Sequence, residues 1–243
     1  MFDSLVAAHI VTGTVGLITL WVPIVGRKGG PVHKRWGKIF AVSLLLTGTI
    51  AVGISICTLL YPLETHPFWD DAALVRAVFG WMMIYLATMT INLAHYGRLC
   101  IRNRLHHEQN RTALNLILQL LTFLTALNCA WQGWLVNQPL LIGMSIVGLA
   151  AGILNTRFIL RSNPPHQEWL VQHSRGLVGA GISVYTAFLA FGAVNFMPKF
   201  AFSPVLWATP CTLGIAYLIY HQARIMLARR RLGRGSASGP AAA

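Results

Sequence analysis

His95, His173 and His221 each fall within about two turns of one end of a long apolar run, and imidazole is the side chain with most scope for chemistry there. The neutral ring is the commonest protein ligand for metal ions and a standard axial ligand for haem iron. Ionisable groups inside a membrane face the bundle interior or a water cavity. Three of them at one depth therefore predict a convergent site for haem b or a metal ion. His9, His33 and His166 are weaker candidates. His9 lies at the other end of its run, and His33 and His166 stand ahead of apolar runs, near basic residues, where water or lipid phosphate can solvate an imidazole.

A polar pattern accompanies these histidines. Trp81, Tyr85, Thr88, Asn92 and His95 recur at spacings of four and three, which is one face of a helix. Asn115, Gln119 and Thr122 form a matching row, His173, Gly176, Ala180, Ser183 and Ala187 a row of mostly small residues, and Gly214, Tyr217, His221 and Arg224 a fourth. Polar and small residues in a lipid-embedded helix belong at interfaces with other helices. The four rows predict a polar seam that opens at the histidine-rich end. Its alternative chemistry is a proton relay or a path for a small solute.

The elements that must position these groups are read from where charge is missing. No Asp, Glu, Lys or Arg occurs in residues 4–26, 39–63, 77–97, 112–156, 176–198 or 200–223. A helix needs about 20 mainly apolar residues to cross the hydrocarbon core, so five of these runs hold one span each. The fourth holds two, joined by a turn in Trp131-Gln-Gly-Trp-Leu-Val-Asn-Gln-Pro139. The expectation is an all-α integral membrane protein, one transmembrane domain over 1–231 with seven helices near 4–26, 39–62, 74–97, 112–132, 139–160, 169–194 and 203–228. The small-residue segment 232–243 reads as a disordered cytoplasmic tail.

The net charge of +13 does not signal nucleic acid, because the cations follow the topology. Lys and Arg cluster after the first, third and seventh spans and around the fifth-to-sixth connection, with only Arg76 and Lys199 on the opposite side. The positive-inside rule then places the N-terminus outside and the C-terminus in the cytoplasm of a bacterial inner membrane. The partners expected are the bilayer, anionic lipids at the cytoplasmic face, and a larger membrane complex or a second copy. The acidic start Met1-Phe-Asp-Ser and the long first span read as a retained anchor. Cys57, Cys100, Cys129 and Cys211 are scattered and form no ligand motif.

Two short segments echo one another: Pro31-Val-His33-Lys-Arg-Trp36 and Pro165-His166-Gln-Glu-Trp169 both place His-x-x-Trp after a proline ahead of a span. Together with Ala8-His9-Ile-Val-Thr-Gly13, Gly37-Lys38-Ile39-Phe40, His173 and Thr186-Ala187-Phe188-Leu189, they resemble a family of uncharacterised bacterial multi-pass membrane proteins. That family carries an early helical His, then His-[Arg/Lys]-x-x-Gly-[Arg/Lys] and a later His-x-x-Trp. The resemblance implies a multi-pass bundle and no particular activity. Gln172 stands where the pattern usually has Arg.

Several functions are excluded by residue type. The seventh span has no lysine for a retinal Schiff base, no span contains Asp or Glu for carboxylate-coupled transport, and the His106-His107 pair lacks the companion histidine boxes of a di-iron enzyme. Three readings remain: a haem- or metal-binding redox bundle, a small-solute or proton transporter, and a non-catalytic subunit of a larger complex.

Overall fold

The computed structural model describes residues 2–165, 167–192 and 203–237, which contain helices and no strand. Helix α1 (Phe2–Thr19) runs almost directly into α2 (Trp21–Val25), and α3 (Pro31–Leu60) returns alongside them. Short α4 (Pro62–Thr65) and α5 (Ala72–Val75) lead through a π-helical stretch, Arg76–Trp81, into α6 (Met82–Arg102). Then come α7 (Ala113–Leu135), α8 (Pro139–Leu160), α9 (Glu168–Ala187) with a π-helical end at Phe188–Gly192, and α10 (Pro204–Ala237).

Six helical segments are long and apolar enough to cross a membrane: Phe2–Val25, Pro31–Leu60, Ala72–Arg102, Ala113–Leu135, Pro139–Leu160 and Glu168–Gly192. Their outer faces expose Ile10 and Ile18, Leu46 and Ile56, Leu120 and Leu124, Ile146 and Ile153. So much contiguous apolar surface is a liability in water and the natural boundary in lipid. The chain is a multi-pass membrane protein by these criteria. Helix α10 is a seventh long helix but not one of the six; it contains Pro210 and carries His221 and Arg224.

Helix α6 is the axle. It packs on α3, α7 and α9, while α1 leans on α3, α8 on α7 and α10 on α9. Its buried residues, among them Tyr85, Thr88, Asn92, Ala94, Tyr96 and Gly97, go round the helix rather than along one stripe, as a helix with neighbours on three sides requires.

Several boundaries differ from expectation for local reasons. Helix α3 starts at Pro31, not near 39, because Pro at a first helical position has its φ preset and no amide to orphan. His33, Lys34 and Lys38 are therefore helical, not loop, residues. The third span extends to Arg102 and begins from Asp71, whose Oδ1 accepts the N–H groups of Ala73 and Leu74 at 2.8 and 3.0 Å. Helix α7 ends at Leu135, and the turn before Pro139 includes Asn137 at φ 52°, a left-handed conformation that Asn tolerates. Helix α10 runs to Ala237, into the segment expected as a tail; residues 238–243 and Lys199 lie outside the described residues.

At the end of the bundle remote from the clustered cations, His66 stacks on Phe79 with ring centroids 4.3 Å apart, and its Nδ1 meets Thr65 Oγ1 at 3.0 Å. Burial lowers its pKa below the ordinary 6.5. The folded state thus prefers neutral His66, and its contribution is complete above pH 6.5 and lost as pH falls toward the lower folded value. Hydrogen exchange of residues 62–70 should quicken between pH 7.5 and pH 5, and His66→Phe should remove most of that change.

Candidate functional site

The site grows from a crossing of two glycines. A Cβ on Gly176 would lie 2.7 Å from Gly97 Cα, and one on Gly97 would lie 2.9 Å from the Leu177 nitrogen. Only glycine on both helices lets α6 and α9 touch backbone to backbone. This approach brings His173, almost one turn before Gly176, to the Gly97 carbonyl, with Nδ1 at 2.8 Å. A carbonyl can only accept, so Nδ1 carries the proton, and in the neutral ring Nε2 keeps its lone pair. Tyr96 Oη donates to Gln172 Oε1 at 2.9 Å next to it, and Thr90 and Ser183 pair their hydroxyls at 2.8 Å along the same interface.

Beside this crossing lies a cavity of about 790 Å³, and His33, His95, His173 and His221 all line it, with Trp169 and Tyr217. Its apolar wall includes Leu20, Phe40, Leu177, Val178 and Ile225. Lys28, Lys34, Lys38, Arg98, Arg102 and Arg104 also line it, and among the described residues no Asp or Glu does. The chamber is thus apolar, imidazole-bearing and strongly cationic.

Each lining helix contributes by register. On α6, His95, Arg98 and Arg102 stand at i, i+3 and i+7 and share a face. On α3 the early start at Pro31 puts His33, Lys34, Gly37 and Lys38 in the first two turns. Lys28 Nζ donates to the Pro23 carbonyl at 2.8 Å and to that of Ile24, closing the end of α2. Burial draws its pKa down. His33 Nδ1 donates to Pro23 O at 3.2 Å, so this ring also presents Nε2 as the basic nitrogen. His95 Nε2 and His221 Nδ1 are buried and have no hydrogen-bond partner among the described residues. Buried nitrogens without partners cost free energy and point to a group that contacts this wall.

The structure therefore brings together the three main candidates, His95, His173 and His221, and adds His33 and Tyr217. It leaves the other seam residues off the lining. Asn92 Nδ2 donates to Gln119 Oε1 and Thr122 Oγ1, both at 2.9 Å, and Gln119 Nε2 donates to Asn92 Oδ1 at 2.6 Å. Asn115 Nδ2 continues the chain to the Asn110 carbonyl at 2.8 Å. Tyr85 Oη donates to the Met144 carbonyl at 2.8 Å, its ring filling the space opposite Gly148. The single seam is thus two polar sets that share a stripe of α6 but serve different neighbours. One set pins α7 and α8 and satisfies its own groups; the other borders the cavity. Thr88 is buried away from the cavity lining, as is Ser183. His9 is remote from the cavity lining, with Nδ1 3.2 Å from the Thr47 carbonyl, and His166 lies outside the described residues.

Among the described residues no group of three or more His, Cys, Asp or Glu is placed to hold a metal ion. Six cationic side chains on the same wall oppose a bare metal ion in any case. The lining cations are what the sequence reading missed as site residues. Their i, i+3, i+7 relation to His95 was the available signal, masked because charges at helix ends also mark topology. Comparison with protein-family models, with curated proteins and with solved structures gives no match for this chain.

Proposed function

We propose that this is a seven-span inner-membrane protein, N-terminus outside and C-terminus in the cytoplasm, that binds b-type haem in the histidine-lined cavity and serves in electron transfer. The observation that carries this reading is the convergence of four histidines on one apolar cavity whose remaining polar lining is cationic. Haem b is an apolar disc with anionic propionates at one edge and an iron that takes imidazole, so each part of the lining has a counterpart. His173 is the first choice for an iron ligand, because its tautomer is fixed by the Gly97 carbonyl and second hydrogen bonds of this kind orient ligating histidines. His95, His221 and His33 supply the second imidazole or polar contacts, and Arg98 and Arg102, on the same helix face as His95 and on the same lining, suit the propionates. When bound, haem would supply a one-electron couple; the chain holds, orients and shields it. The transporter reading loses ground because Asn92, Gln119 and Thr122 spend their polar groups on each other.

Support also comes from the motif positions: His33, Trp169 and His173, on which the resemblance to uncharacterised bacterial membrane proteins rests, all line the cavity. The experiment is a haemin titration of the detergent-purified protein. The expected result is a saturable Soret shift near one haem per chain, weakened at least about tenfold by His173→Ala and unchanged by His9→Ala. A linear, non-saturating response, or equal affinity in His173→Ala, overturns the proposal.

A further inference from the structure

A second, shallower hollow of about 390 Å³ lies on the lipid-facing side of α1 and α3, lined by Val11, Thr12, Val15, Lys38, Val42 and Leu46 among others. Among the described residues Lys38 is its one charged lining residue, and it also lines the histidine cavity. Lys38, Val42 and Leu46 follow at intervals of four, so the groove runs from the ammonium group along α3 for about 12 Å of rise. Val11, Val42 and Leu46 are exposed, 64%, 39% and 51% respectively. Lys34 precedes Lys38 by one turn, and both side chains are exposed. The ion pairs among the described residues, His106 with Glu108 and Arg161 with Glu168, involve neither lysine.

An apolar trough headed by unpaired lysines suits one class of molecule. The geometry points to a binding site for an anionic phospholipid, with the phosphate on Lys38 and Lys34 and an acyl chain along Val11, Val15, Val42 and Leu46. Lysine near helix ends extends toward the headgroup level, and such charge attracts anionic lipid. The trough is oily along its length, so a free phosphate would use only its head, whereas a lipid uses all of it. The trough shares only Lys38 with the lining of the histidine cavity and contains no histidine.

The test is native mass spectrometry of the delipidated full chain with phosphatidylglycerol or phosphatidylcholine of identical chains. Phosphatidylglycerol should be retained about fivefold better, the worth of one lysine near an anionic surface. Lys38→Gln should abolish the preference, Lys38→Arg should keep it, and Val42→Trp should reduce retention of both lipids by filling the trough. Helicity by circular dichroism checks that each variant is folded. Equal retention of the two lipids, an unchanged preference in Lys38→Gln, or full displacement of phosphatidylglycerol by inorganic phosphate, which would mark a headgroup-only anion site, each overturns the proposal. Haemin binding that persists in Val42→Trp, a residue that lines the trough and not the histidine cavity, while lipid retention falls, separates this outcome from failure of the haem site.

Discussion

Gly176→Leu is expected to cost about 3 kcal/mol of stability or more and to abolish haemin binding, the largest effect of any single substitution considered. The clash is with backbone: the new Cβ would stand 2.7 Å from Gly97 Cα and 2.9 Å from the Leu93 carbonyl oxygen, and neither can move aside as a side-chain tip can. Overpacking of this kind costs about 1–3 kcal/mol even where side chains can adjust. Separating α6 from α9 also removes the Gly97 carbonyl from His173. Thermal unfolding in detergent measures the first effect and the Soret titration the second. Gly143→Ala on α8 is the control. Nothing lies within 4 Å of its added Cβ, so the change should be neutral or stabilise by up to about 1 kcal/mol from helix propensity. A Gly176→Leu protein as stable as wild type would mean that the two helices are not in backbone contact.

Asn92→Leu is expected to cost about 2 kcal/mol and to leave haemin affinity unchanged. The substitution deprives Gln119 and Thr122 of their shared partner in a fully buried setting, and an unsatisfied buried polar group costs about 1–3 kcal/mol. Pairing it with Gln119→Leu in a double-mutant cycle should return a coupling on the order of 1 kcal/mol, the upper part of the range for hydrogen bonds between membrane helices. The same variant separates two ideas about the polar face of α6. If Asn92 lay on a path for protons or solute, its loss would change flux or ligand binding more than stability.

Six apolar helices were legible in the sequence because exclusion of charge from hydrocarbon is a one-dimensional signal. That His95, His173 and His221 line one cavity follows the same signal: each sits where an apolar run meets basic residues, so counting put them at a shared depth. Which side of α6 each polar residue serves was not legible. Tyr85, Asn92 and His95 share a stripe, yet Tyr85 bonds to α8 and Asn92 to α7, while His95 borders the cavity. A stripe tells that a helix has a polar neighbour, and only packing tells which neighbour. The start of α3 was hidden by composition, since Lys34, Arg35 and Lys38 look like loop residues until Pro31 is read as a helix opener. Helix α10 illustrates the reverse case. Its length suits a span, but Pro210 and the polar residues near His221 keep it out of the set that composition alone marks as membrane-crossing.

The most direct test of the central claim is the visible spectrum and pyridine haemochrome of the protein purified from haem-replete membranes, alongside its His173→Ala variant. The wild type should show a Soret band with close to one haem b per chain, and the variant should lose it. A colourless wild-type protein that also fails to take up added haemin would contradict that claim.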